Sequence, residues 1–260
     1  MRILFIGDIV GAQGRRMVLE HLPRLLDEYA IDFTIANGEN CSGGFGLNQK
    51  NFRELVDCGI DAFTMGNHMW DNRDIYNFID NEERLVRPAN FPPSLPGRGW
   101  QQYQVAGQKL IVANVVGRVF MTAFDCPFRT MDAILQENAV EDVAIFVDIH
   151  AEATSEKMAL GWYLDGRVAA VVGTHTHIQT NDARILPHGT GYLTDAGMTG
   201  PRDSILGVER EIIIGRFLTG VSPRFEVASG DLQFNGVIFD IGPDHKTQKM
   251  ELLNFWQPAL

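Results

Sequence analysis

Short apolar runs alternate with segments of helical period along this chain, and the early runs each end in a polar, glycine-bearing turn. That alternation is the pattern of an α/β protein. Arg2 to Gly7 reads as a strand, and Arg15 to Tyr29 places Met17, Val18, Leu22, Leu25 and Leu26 on one helical stripe. Phe33 to Ala36 is a second strand, Gln49 to Cys58 a second helix, and Ala62 to Met65 a third strand. A helix over Arg73 to Ile79 leads into a proline-rich crossing loop through Arg87, Pro88, Pro92, Pro93 and Pro96. Gln102 to Val105 and Lys109 to Val116 then form a hairpin around Gly107.

The second half resumes with a helix near Asp132 to Asn138, a strand Val143 to Asp148, a helix Thr154 to Leu164 and a strand Val168 to Val172. Arg184 to Leu186 and Gly191 to Leu193 are short strands, and Val208 to Leu218 is helix-like. Arg224 to Ala228, Leu232 to Ile241 and a terminal strand through Phe255 make the end of the chain mostly β. No repeat, low-complexity tract or linker divides it, so residues 1–260 are expected to form a single domain of two packed sheets flanked by helices.

The chemistry-bearing residues fall where strands end. Gly7-Asp8, Gly38-Glu39-Asn40, Gly66-Asn67-His68, Asp148-Ile149-His150 and Gly173-Thr174-His175-Thr176-His177 all follow or close an expected strand. Carboxyl ends of neighbouring strands in an open α/β sheet share one edge, where ligands bind. Five separate strand ends can thus converge on one point. Two divalent ions sharing a cleft need carboxylate and amide oxygens plus imidazole nitrogens, with a carboxylate between them to offset their repulsion. An Asp, a Glu, two Asn and three His supply that set.

Each residue also has a plainer reading. An Asp after a strand is ordinarily a turn or cap residue, and a lone His is more often structural. The paired imidazoles of residues 173–177 are sharper, because two of them in a tight turn with small neighbours gain little from burial. It is the coincidence of five clusters at five strand ends that favours a metal site.

Composition narrows the partners. With 33 acidic against 22 basic residues the net charge is -11, which disfavours a grip on duplex DNA while allowing a small anionic substrate. Cys41, Cys58 and Cys126 fit neither a disulfide framework nor a thiolate metal knuckle, so a reduced, cytoplasmic setting is expected. The apolar N-terminus meets Asp8 too soon for a signal-peptide core, and no other stretch is long enough to span a bilayer.

In order and spacing, GDIVG (7–11), NGEN (37–40), GNHMWDN (66–72), DIHAEATSEK (148–157), GTHTHIQT (173–180) and TDAGMTGP (194–201) resemble the YmdB-like phosphodiesterases of the calcineurin-like metallophosphoesterase superfamily. The resemblance covers nearly the whole chain. It implies a four-layer αββα sandwich of two mixed sheets flanked by helices, and a cleft with two metal ions. One ion would be held by Asp8, Glu39, Asn40 and His177 and the other by Glu39, Asn67, His150 and His175, with Glu39 common to both. His68, outside both shells, suits a general acid for the leaving oxygen or a donor to the phosphoryl group; its plainer reading is a mere neighbour of Asn67.

Three departures from the wider superfamily stand out. Its first motif reads Asp-x-His, yet Asp8 is followed by Ile9 and Val10, and the resemblance implies that Asn40 fills the gap. The bridging Asp is Glu39. The acid that usually follows the GNH is replaced by Met69, with Asp71 two positions further on, leaving open what orients His68.

The expected activity is therefore hydrolysis of a phosphodiester, with cyclic nucleotides the class the resemblance suggests, by attack of a metal-bridging hydroxide with His68 assisting the leaving group. A shell of oxygen and nitrogen without thiolate suits Mn, Fe or Zn. Alternatives are a phosphomonoesterase, or a regulatory metal-binding or RNA-associated protein with incidental hydrolysis; a homo-oligomer is allowed. Ser42 to Gly46 is glycine-rich but lacks a P-loop ending, so it serves to bring backbone close to metals or substrate. Asp195 to Pro201 reads as a turn, and the resemblance puts it near the cleft. Phe45, Trp70 and Phe120 are of the type that stacks a base, with core or rim packing the alternative.

Overall fold

A computed structural model describes residues 1–140, 142–221 and 224–259. Its strands and helices, in chain order, are β1 (Arg2–Ile6), β2 (Asp8–Ile9), α1 (Gly11–Glu28), β3 (Phe33–Asn37), α2 (Gln49–Cys58), β4 (Ala62–Thr64), β5 (Leu85–Val86), β6 (Trp100–Val105) and β7 (Gln108–Val116). Next come α3 (Pro127–Glu137), β8 (Val143–His150), α4 (Thr154–Leu164), β9 (Ala170–Thr174), β10 (Arg184–Ile185), β11 (Gly191–Leu193) and β12 (Met198–Pro201). Helix α5 (Arg210–Thr219) and the hairpin β13 (Leu232–Ile241) and β14 (Thr247–Gln257) complete it.

One sheet runs β2-β12-β13-β1-β3-β4-β5, with β14 also on β13; the other runs β10-β11-β9-β8-β7-β6. Both are mixed: β1, β3, β4 and β5 are mutually parallel, as are β7, β8, β9 and β11, while β13 and β6 run antiparallel to their neighbours. Period-two alternation sorts side chains between layers. Ile3 and Phe5 face the other sheet, where Phe5 stacks on Phe146 at 5.6 Å between centroids, and Leu4 and Ile6 face the helix side with Met17, Leu22 and Phe52. In the second sheet Val112 and Phe146 point to that shared layer, and Ile111, Ile145 and Val147 pack with Met131 of α3 and Leu160 of α4. Helix, sheet, sheet, helix is the four-layer order expected.

Three expectations change. Arg73–Asn77 is a 3₁₀ turn, because the Asn72 side chain accepts the Asp74 N–H and closes a tighter loop than an α-helix. Of the expected turn at residues 195–201, Met198–Pro201 is strand β12, pairing Met198 with Asp8 and Gly200 with Gln233. Arg224 to Ala228 forms one isolated bridge, Val208 with Val227; Ala228 N–H and Glu226 C=O bond to Gly207 and Glu209 instead of a sheet strand. No helix among the described residues is long and apolar enough to cross a membrane.

Candidate metal centre

The parallel strands place the sequence clusters as expected. Asp8 follows β1, Glu39 and Asn40 follow β3, Asn67 and His68 follow β4, His150 ends β8, and His175 and His177 follow β9. Asp8, Glu39, Asn40 and His150 are buried.

His150 is the hub. Its Nε2 lies 2.9 Å from Glu39 Oε1, 3.0 Å from Asn67 Oδ1 and 3.0 Å from His175 Nδ1. Neighbouring donors around an octahedral ion with bonds of about 2.1 Å stand about 3.0 Å apart, so this spacing fits a common cation. Glu39, His150 and His175 together offer ligand atoms within 4.8 Å of one another. The approach demands Gly66, where a Cβ would sit 2.3 Å from His150 Cδ2 and 2.5 Å from Glu39 Oε2.

Asp8, Asn40 and His177 sit on the other side. His177 Nε2 is 3.9 Å from Asp8 Oδ1, and His150 Nδ1 is 4.0 Å from it. Asn40 donates its amide N–H to the Gly44 carbonyl at 2.9 Å, which turns its oxygen the other way. Asp8 Oδ1 and Asn40 Oδ1 are both buried without a hydrogen-bond partner. An orphaned buried acceptor costs about 1–3 kcal/mol, and two in one cleft are the mark expected of oxygens set to receive a cation.

The imidazoles point the same way. A ligating His normally spends its second nitrogen on an outer partner that fixes tautomer and ring angle. Thr174 donates its hydroxyl to Asp148 Oδ1 at 2.7 Å, so His150 donates to Thr174 from Nδ1 at 2.9 Å and keeps the Nε2 lone pair for the cleft. His175 directs Nε2 at Glu152 Oε2, 3.2 Å away, and His177 donates from Nδ1 to the Leu206 carbonyl at 2.9 Å. Both His175 (φ 96°) and His177 (φ 63°) have left-handed backbone, a strain of about 1–3 kcal/mol each that the surrounding structure must hold.

The electrostatics match. Burial alone would lower the His150 pKa, but the charges of Glu39, Asp8 and Asp148 and the Glu39 hydrogen bond carry it up to about 9. Burial would raise Glu39, yet His150 and His68 bring it down to about 2. Burial and the nearby His150 charge hold His175 down at about 3, as a neutral ring. A buried cluster that draws positive charge this strongly suits divalent cations, and the donor set fits them.

His68 stands at the mouth. Its backbone N–H binds Glu39 Oε2 at 2.8 Å, and its Nδ1 meets Asp71 Oδ2 at 2.8 Å. Asp71 thus supplies the orientation that the usual neighbouring acid would give. Trp70 stacks on Tyr76 with centroids 5.0 Å apart, a packing role, while Phe120 is 90% exposed.

Asp148, Lys157 and Asp195 lie in stretches singled out in the sequence, but their supporting role was not read there. Asp148 accepts from Thr64, Thr174 and Asn37 between the two sheets, and Lys157 pairs with Asp195 at 2.6 Å where both are wholly buried. Asp195 also accepts from the Thr176 N–H and hydroxyl, anchoring the His175–His177 turn. Asp148 lies two residues before His150, on the same face of β8, and Lys157 is a wholly buried cation beside Leu160, Gly161 and Leu164 on α4; those were the available signals.

Two mixed sheets between helix layers, with acidic, amide and imidazole side chains gathered at shared strand ends, give the metallophosphoesterase-like class of fold. A 5'-nucleotidase precursor from Thermus thermophilus shares it at TM-score 0.59 and 13% identity, over 99% of this chain and 54% of that one. Within that class the chain belongs to the YmdB-like protein family, matched over residues 4–253. It is 54% identical over 249 residues to the 2',3'-cyclic-nucleotide 2'-phosphodiesterase of Bacillus subtilis (strain 168), covering 96% of this chain and 94% of that protein. The structure of a novel phosphatase from Mycoplasma pneumoniae superposes at TM-score 0.94 with 33% identity, over 100% and 94% of the two chains.

Proposed function

We propose that the chain is a dinuclear metal-dependent phosphodiesterase whose substrates are cyclic nucleotides. The observation that carries this is the matched set of three imidazoles, each with one nitrogen committed to Thr174, Glu152 or the Leu206 carbonyl and the other facing the cleft. Asp8, Asn40 and His177 would hold one ion and Asn67, His150 and His175 the other, with Glu39 serving both. Iron or manganese suits the oxygen-rich donors, and zinc is compatible. When bound, two such cations would supply charge for the phosphoryl oxygens and would acidify a water for attack.

The chain's own residues do the rest. Asp71 holds the His68 ring from Nδ1, which leaves Nε2 as the nitrogen to serve the oxygen that leaves phosphorus. Lys157 and Asp195 keep the His175–His177 turn in place while charge shifts within the cleft. The 2',3'-cyclic-nucleotide activity named for the Bacillus subtilis relative favours a cyclic diester over a monoester.

Elemental analysis of the purified protein, coupled to turnover of a phosphomonoester, a linear diester and a 2',3'-cyclic nucleotide, tests the proposal. About two ions per chain and fastest turnover of the cyclic diester are expected. One ion in fully active protein would remove the dinuclear scheme, and preference for the monoester would make this a phosphomonoesterase.

A further inference from the structure

Beside His68 lies a cleft of ≈ 440 Å³ that the hydrolytic chemistry does not use. Its walls are Phe45 and Gly44 on one side and Leu206, Ile213, Phe217 and Phe225 on the other. That volume falls within the range of small-molecule sites. The cleft is continuous with the metal centre at three points. The Phe45 ring stands edge-on to His68 with centroids 4.9 Å apart. Gly44 accepts the Asn40 amide, and Leu206 accepts from His177.

The geometry points to this cleft as the nucleobase subsite, a reading that rests on the phosphodiesterase function proposed above. In a 2',3'-cyclic phosphate the leaving oxygen is itself a ribose oxygen, so the nucleoside extends from the phosphate past whichever group protonates that oxygen. With His68 in that role, the base falls among Phe45, Phe225 and Phe217. Aromatic faces stack any base, because every base has a π-face. The cationic wall residue Arg216 lies over the Phe225 ring at 5.5 Å, extending the stack. Aliphatic and aromatic side chains dominate the walls, which predicts tolerance for purine and pyrimidine alike.

The test compares adenosine 2',3'-cyclic phosphate with glycerol 1,2-cyclic phosphate, the same five-membered diester without a base, on the metal-loaded protein. Wild type should favour the nucleotide. Phe225→Ala should lower kcat/KM for the nucleotide by about tenfold or more, mainly through KM, leave the glycerol ester within about twofold, and keep its metal content. Phe225→Trp should restore the preference. Equal losses on both substrates, or none on either, would overturn the subsite while leaving the phosphodiesterase standing. A changed oligomeric state in Phe225→Ala or Phe217→Ala with unchanged discrimination would also overturn it, marking this wall as a contact between copies. Should wild type cleave neither ester, the phosphodiesterase reading falls. Saturation-transfer NMR with adenosine then judges the subsite alone: base-proton signal in wild type that vanishes in Phe225→Ala supports it, and no signal in wild type overturns it.

Discussion

The two halves of the proposed metal centre are built differently. Around His150 the donors are already packed, with Glu39, Asn67 and His175 all 2.9–3.0 Å from one ring nitrogen. Around Asp8 they are spread, with His177 3.9 Å away and two buried oxygens unsatisfied. In the packed half the donors stand within hydrogen-bonding distance of one another. In the open half Asp8 Oδ1 and Asn40 Oδ1 have no such partner among the described residues. Prearranged donors lose less freedom on binding, so the packed half should hold its ion more tightly and the open half should release first.

Breaking the residue common to both halves should have the largest effect. Glu39→Ala is expected to reduce bound metal from about two ions per chain to below one and to cut kcat by more than about 10³-fold. His177→Ala touches the open half alone and should leave about one ion. Elemental analysis along a chelator titration checks both, and should show two steps in wild type but one in His177→Ala. Equal loss from both variants would erase the distinction between the halves.

His68 belongs to neither half, so its removal separates chemistry from metal binding. His68→Ala should keep both ions and near-normal stability while lowering kcat by about 10²- to 10⁴-fold. A nitrophenyl ester, whose leaving oxygen hardly needs a proton, should lose less than a ribose ester. Equal losses would reassign His68 to stabilising phosphoryl charge, and full activity would remove it from the reaction.

The packed half was legible in the sequence because its donors are of metal-binding type and close their strands, which parallel pairing then aligns. Asn40 stood among the strand-end clusters, but its place beside Asp8 came only through the family resemblance; its orphaned oxygen depends on a hydrogen bond to Gly44 that no residue pattern encodes. The supports were harder still. Thr174 and Asp148 act through contacts between β8, β9 and β4, and Lys157 reaches Asp195 across 38 positions of chain. At the level of elements, strand β12 was hidden because a glycine-rich run gains its strand character from pairing with Asp8 and Gln233, not from its own propensity.

A subtler change should weaken the packed half alone. Thr174→Val keeps the volume but removes the hydroxyl that receives His150 Nδ1 and passes a hydrogen to Asp148. Losing such an outer partner costs about 10- to 100-fold in metal affinity. Titration of metal-free protein should show that loss in the tighter site and little change in the weaker one. An unchanged tight site would mean that Thr174 does not set the His150 tautomer.

The smallest effect should come from the far end of the other sheet, where Arg2 clasps Asp240 at 2.6 Å between β1 and β13. There the Arg2 hydrogen bond, against a smaller burial effect, holds the Asp240 carboxyl below its ordinary range. A carboxyl lowered on folding stabilises the native state above its unfolded pKa, and that contribution is lost as pH falls through the folded value. Both side chains remain partly exposed, so solvent screening limits the pair to about 0.5 kcal/mol. Asp240→Asn should therefore lower Tm by about 1–2 °C at pH 7, with the difference from wild type shrinking below about pH 4. Metal content and kcat should be untouched in this variant, since the pair lies at the amino end of β1 and the cleft at its carboxyl end. A change in metal affinity in Asp240→Asn would mean that strain at β1 reaches Asp8 through the sheet, and the two ends could no longer be treated as independent.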